Sequence, residues 1–170
     1  LLSSGLTVLN LASSGVVGGA VAKGGYALVI GGSESGKTFL VRMMLAEASI
    51  NSQFAKHQLV VDNPENGALM DNRRFFGQKF VDRVEAPLYD EDENPVHSRT
   101  VEDMYYHIDL RLDLGPVVYV SDSMDALTSL AEEKKAKKRN TAIEAGREEE
   151  LAGDMSDGKA RFNSANIRRI

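Results

Sequence analysis

Tyr26-Ala27-Leu28-Val29-Ile30-Gly31-Gly32-Ser33-Glu34-Ser35-Gly36-Lys37-Thr38 is the stretch on which the reading of this chain turns. From Gly31 to Thr38 it matches G-x-x-x-x-G-K-[ST] without a mismatch. Each residue type has a physical task in that pattern. Gly31 and Gly36 permit backbone angles that a side chain forbids. The resulting turn aims successive N–H groups at one point, an anion nest at a helix N-terminus. A lysine at the position of Lys37 reaches β- and γ-phosphates, and a hydroxyl at the position of Thr38 can ligate Mg²⁺. The flanks suit this use. The apolar run at 26–30 predicts a strand buried on both faces, and residues 37–50 predict a helix with Leu40, Met43 and Met44 on its apolar face. The alternative is an ordinary glycine turn before a helix.

Outward from the loop, strands and helices alternate. Small residues and glycines at 13–25 read as an irregular entry. Residues 58–61 predict a second buried strand, ended by Asn63-Pro64, and 66–76 a short helix. Residues 80–84 predict a third strand. The acids Asp90, Glu91, Asp92 and Glu93 fall in a loop at 87–95 and read as solvated, because adjacent loop acids seldom converge on a cation. The helix at 98–112 is the clearest: Thr100 and Asp103 suit a capping box, and Val101, Met104, Tyr105, Ile108 and Leu112 recur at core-face spacing. An all-apolar strand at 117–120 follows Gly115-Pro116. A charged stretch at 131–150 and a final helix at 155–170 complete the chain. The expected fold class is α/β, a mainly parallel sheet flanked by helices.

Composition narrows the chemistry. A chain of 170 residues with 42% hydrophobic and 26% charged residues suits one globular domain with its own core. With no cysteine, disulfides, thiolate metal sites and cysteine nucleophiles are excluded, and a reducing compartment is expected. Three scattered histidines, His57, His97 and His107, do not suggest a histidine metal centre. Twenty basic against 25 acidic residues give a net charge of −5, so polyanion binding would need a local patch. No membrane span or signal peptide is read from the sequence.

Two strand ends carry acids. Asp122, after the apolar run and Ser121, stands where a Walker-B acid holds Mg²⁺; capping the next turn is the alternative. Glu65, beyond the strand at 58–61, could orient or deprotonate an attacking water; Asp62 competes for that role, and either could be a solvated loop acid. Lys134, Lys135, Lys137, Lys138 and Arg139 form a basic run, with Arg147, Lys159, Arg161, Arg168 and Arg169 further on. Such a cluster can neutralise nucleic-acid phosphates, or it can be a solvated helix, since Glu132, Glu133, Glu144, Glu148, Glu149 and Glu150 flank it. No aromatic residue interleaves the run, which favours backbone contacts over base stacking.

These segments, in order, resemble the RecA-type recombinases, especially the RecA-like ATPases of bacteriophages. The resemblance runs through Ser4-Gly5, Gly18-Gly19, the loop from Gly31 to Thr38, then Asp62, Glu65 and Ala68-Leu69, then Asp122-Ser123 with Ala126-Leu127-Thr128. The segment from Gly153 to Ile170 resembles the family's helix rich in Ser, Asn and Arg that follows a DNA-facing loop. Asn63-Pro64 is a departure, interposed before Glu65. The family continues into a strand with a polar switch residue and a second DNA loop, so the resemblance implies a core incomplete at its C-terminal end.

The resemblance implies a single RecA-like P-loop NTPase core over 1–170; within it the charged stretch at 131–153 is polar with no apolar period and reads as a mobile loop. It implies ATP and Mg²⁺ as cofactors. Gly31, Gly32, Ser33, Glu34, Ser35, Gly36, Lys37, Thr38 and Phe39 would contact the nucleotide, and Thr38 and Asp122 the metal. Glu65 and Lys37 would be catalytic, and Lys134, Lys135, Lys137, Lys138 and Arg139 would meet single-stranded DNA. The implied protein is a DNA-dependent ATPase of recombination or repair. It would form a homo-oligomer or filament, without a membrane, in the cytoplasm, the host's if phage-encoded. The rivals are a small-molecule or nucleotide kinase, for which Arg73 and Arg74 are the paired lid candidates, and a non-catalytic nucleotide-gated assembly subunit.

Overall fold

A computed structural model describes residues 1–65 and 70–144. The chain is mixed α/β. Helix α1 (Thr7–Ser14) is followed by α2 (Lys37–Ile50), strand β1 (Gln58–Asp62), helices α3 (Asn72–Phe76) and α4 (Gln78–Arg83), and a short hairpin, β2 (Leu88–Tyr89) with β3 (Pro95–Val96). Helix α5 (Val101–Leu114), strand β4 (Val117–Ser121) and helix α6 (Leu130–Glu144) follow. No described helix is long and apolar enough to cross a membrane.

β1 and β4 pair in parallel, from Gln58 opposite Val117 to Asp62 opposite Ser121. Both strands therefore end at one edge, and the chain leaves both at the same level. Below that edge, Leu2, Leu45, Ala48, Phe54, Leu59 and Phe80 form one core cluster, and Val101, Met104, Tyr105 and Leu127 a second. Full burial of a side chain of the Leu, Phe or Val kind contributes roughly 1.5–3 kcal/mol.

α5 begins where its sequence says it should. Thr100 Oγ1 accepts the Asp103 N–H at 3.1 Å, and Asp103 Oδ2 accepts the Thr100 N–H at 3.0 Å, a complete capping box. Val101, Met104 and Tyr105 are buried as the spacing predicts, whereas Leu112 is exposed. In α2 the buried seam is Arg42, Leu45, Ala48 and Ser49, while Leu40, Met43 and Met44 are half-buried. At the other end of the chain, Ser4 is tied to Asn10 through its N–H and hydroxyl, at 2.9 and 2.7 Å. Gly5 has φ 78°, and a Cβ there would lie 2.6 Å from Met43 Cγ, so this turn requires glycine.

Three expectations are corrected. Residues 26–30 form no strand ladder: Leu28 is 61% and Ile30 85% exposed. An all-apolar strand needs sheet neighbours, and among the described residues β1 and β4 take only each other as full partners. Residues 80–84 are mainly helical, not a strand; only Val84 makes a single parallel bridge, to Leu59. There Phe80 alone is deeply buried, Gln78 bonds Asp82 one turn on, and Arg83 donates to the carbonyls of Phe54 and His57. The charged stretch expected as a loop from 131 is helical through Glu144. Ser129 Oγ accepts the Glu132 N–H at 3.2 Å and Glu132 Oε2 accepts the Ser129 N–H at 3.0 Å, so a second capping box starts a run of strong helix formers. The remainder of that loop, the expected helix at 155–170, Ala68-Leu69, Arg147, Lys159, Arg161, Arg168 and Arg169 lie outside the described residues.

Candidate active site

The loop before α2 has the backbone that its sequence requires. Gly36 is left-handed, at φ 86°, and so is Glu34, at φ 60°. Such alternation turns successive N–H groups inward. A Cβ on Gly31 would stand 2.6 Å from Ser35 Oγ, so the loop closes on itself at that glycine. The first bond into the helix runs from Leu40 N–H to the Gly36 carbonyl at 2.9 Å. The N–H groups of Lys37, Thr38 and Phe39 precede that bond, and the first turn holds no acid. A helix end of this kind presents donors and positive dipole to an anion.

Lys37 Nζ donates to the Gly31 carbonyl at 2.8 Å and to the Gly32 carbonyl at 2.7 Å. The ammonium thus arches over the loop. Phe39 packs its ring on α3, 5.8 Å from Phe75 and 5.2 Å from Phe76 between centroids. Its side chain faces α3, so any part it takes in anion binding comes from its N–H.

The two acids after β1 have different surroundings. Asp62 is 5% exposed. Its Oδ1 accepts the Ser98 N–H at 3.0 Å and its Oδ2 accepts the Tyr119 hydroxyl at 2.7 Å. Burial, with the Asp62 carboxylate beside it, holds the Tyr119 hydroxyl far above the usual phenol range, so it stays a donor. His97 Nδ1 lies 3.6 Å from Asp62 Oδ1. This carboxylate fastens β1 to β4 and to the segment entering α5. Glu65, by contrast, stands exposed on the turn after β1, where its Oε1 accepts the Ser123 hydroxyl.

Asp122 follows β4 directly. Its N–H donates to the Asp62 carbonyl at 3.0 Å, which extends the strand pairing by one step. Its Oδ2 is buried and takes no hydrogen bond from the described residues. The guanidinium of Arg42, itself only 7% exposed, lies within the field of Asp122. Burial pulls the Arg42 pKa down and the Asp122 charge pulls it back up. Arg42 also donates to Asn72 Oδ1 at 2.8 Å. Arg42 is one turn beyond Thr38 on α2. The entry to the loop meets the same edge, because the Tyr26 hydroxyl donates to Met124 Sδ at 3.2 Å.

Ser123 and Arg42 were given no role from sequence. A charged residue on the apolar seam of an amphipathic helix was the available signal for Arg42. For Ser123 the signal was the Asp122-Ser123 step that carries part of the family resemblance.

The basic run lies on α6. Lys134, Lys137 and Lys138, at i, i+3 and i+4, share one face and are exposed, as is Arg139; Lys135 is half-buried and has a partner of its own. Among the described residues no group of three or more His, Asp or Glu converges as an all-protein metal cage. Comparisons with protein families, with curated proteins and with solved structures find no match.

Proposed function

We propose that the chain binds ATP with Mg²⁺ at the loop from Gly31 to Thr38 and hydrolyses it, as a RecA-like ATPase acting on single-stranded DNA in recombination or repair. The observation that carries this reading is the shared edge of β1 and β4, where Asp122 and the Ser123–Glu65 bond stand together, taken with the phosphate-loop sequence at the start of α2. Ligands of parallel α/β sheets bind beyond the carboxyl ends of the strands.

The residues present fit magnesium. Mg²⁺ prefers hard oxygen and commonly binds one or two carboxylates plus substrate phosphates. The buried Asp122 Oδ2, without a hydrogen-bond partner among the described residues, is such an oxygen, and Thr38 supplies a hydroxyl. A bound ion would neutralise charge on the β- and γ-phosphates. The chain's own groups do the rest. The N–H groups of the loop and of Lys37, Thr38 and Phe39 bind phosphate oxygens, and Lys37 moves its ammonium from the Gly31 and Gly32 carbonyls to the β- and γ-phosphates. Glu65 takes a proton from water, the water oxygen bonds to the γ-phosphorus, and the bond to the β–γ bridging oxygen breaks, releasing ADP. Asp62 serves as structure, its oxygens being engaged by Ser98 and Tyr119.

Turnover of ATP in magnesium, measured with and without single-stranded DNA, tests the reading. DNA-stimulated hydrolysis is expected. Transfer to an acceptor would indicate the kinase, and binding without turnover the assembly subunit. The resemblance further suggests a homo-oligomer or filament in the cytoplasm.

The helical face of α6 carries the DNA proposal. Alanine at Lys134, Lys137 and Lys138 preserves helix propensity and should leave folding intact. Each lost phosphate contact should remove about 0.7 from the slope of log affinity against log salt on a single strand, about 2 in total. A triple variant with the parent's affinity and salt slope would mark the face as solvated surface only.

A further inference from the structure

We infer that Ser123 is a positioning residue that holds Glu65 for its proton transfer; the inference rests on the hydrolytic reading above and deepens it. Glu65 is an exposed carboxylate on a turn, beyond the last residue of β1. A side chain of that length in solvent samples many rotamers, and fixing it in one has an entropic cost. A base must nevertheless stand within hydrogen-bond reach of the water it deprotonates.

Ser123 supplies the missing constraint. Its own backbone is held on both sides. The preceding Asp122 N–H is bonded to the Asp62 carbonyl, and the Ser123 carbonyl accepts the Ala126 N–H at 3.3 Å to close a short 3₁₀ turn, Met124–Ala126. The hydroxyl therefore stands on a fixed part of the edge, and it donates to Glu65 Oε1 across 58 positions of sequence. With Oε1 engaged, Oε2 is the oxygen that receives the proton. Because Ser123 follows Asp122 directly, the bond also ties the base to the magnesium acid. The carboxylate that activates water and the carboxylate that holds the metal then move as one unit. Asn63-Pro64 lengthens the turn that carries Glu65, and a side-chain tether from the segment just after β4 compensates for that added freedom.

The test measures ATP turnover and, separately, calorimetric affinity for a non-hydrolysable ATP analogue with Mg²⁺, using the full chain. Ser123→Ala should lower kcat about tenfold to a hundredfold, as a misplaced catalytic group does, and leave KM and analogue affinity at the parent's values. Ser123→Thr, which keeps the hydroxyl, should recover most of the loss. In a Glu65→Gln background Ser123→Ala should cost little more, because Ser123 acts through Glu65; general structural damage would instead add to the first loss. If the parent turns over and Ser123→Ala matches it, or if the two losses add in full, the positioning role is overturned and the hydrolytic reading stands. If the parent binds ATP and turns none over, the hydrolytic reading is overturned and the role of Ser123 falls with it.

Discussion

Glu65→Gln is expected to retain ATP affinity and lose turnover by about 10²–10⁴-fold, the contribution typical of a positioned acid–base group. The substitution suits the local geometry. Glutamine keeps an oxygen that can accept the Ser123 hydroxyl, so the turn after β1 and the edge it joins should persist. It removes only the capacity to take a proton. Glu65 is exposed and belongs to neither core cluster, so a loss of turnover with an unchanged melting temperature would be a chemical effect. Steady-state hydrolysis and analogue calorimetry on the same preparation separate the two quantities. Unchanged turnover would remove Glu65 from the mechanism. Asp62 would be a poor replacement, since it is buried and its two oxygens are held by the Ser98 N–H and the Tyr119 hydroxyl, away from a water at the surface of the edge.

Lys37→Ala is expected to act on binding instead. The lost contact is a charge-assisted hydrogen bond, worth roughly 1.5–3 kcal/mol, or about a tenfold to hundredfold rise in the dissociation constant for ATP. The two carbonyl contacts of Lys37 offset part of this in the parent, because they are given up when the ammonium moves to phosphate. They lie at the surface, where water can replace the ammonium, so the offset is small. Folding should be indifferent to the change, as alanine is the best helix former at the first position of α2. Equal ATP affinity for variant and parent would remove the loop from the site.

The elements legible in the sequence were those whose signals are local. α2 begins at Lys37 because Gly36 must be left-handed before it, and α5 begins at Val101 because Thr100 and Asp103 cap each other. β1 and β4 were readable as short apolar runs ending in acids and expected in a parallel sheet, but which strand pairs with which was not readable. Readings that depended on distant partners failed. Residues 26–30 have the composition of a buried strand, but composition cannot provide the neighbours that strand needs. Residues 80–84 are apolar only at Phe80, Val81 and Val84, and the buried Phe80 with the Arg83 contacts decides for a helix. For α6 the signal was present but outweighed: Ser129 and Glu132 form a capping box, while the absence of an apolar period suggested a loop. A surface helix made of good helix formers needs no apolar period.

The candidate site shows the same division. The loop was legible from one motif, since its chemistry is carried by consecutive residues. The difference between Glu65 and Asp62 was not, because it depends on Tyr119, Ser98 and Ser123, which are 36 to 58 positions away. Arg42 was counted among neither the core nor the site, yet it is buried and lies within the field of the acid expected to hold the metal.

The most direct test of a single magnesium-nucleotide site formed by the loop and the strand edge is a calorimetric titration of the chain with ATP, in magnesium and again in excess chelator. Saturable binding of one ATP per chain in magnesium, weaker in chelator, is the result expected of a site in which Thr38 and Asp122 share the metal with the phosphates. No saturable heat at millimolar ATP in either condition would contradict it.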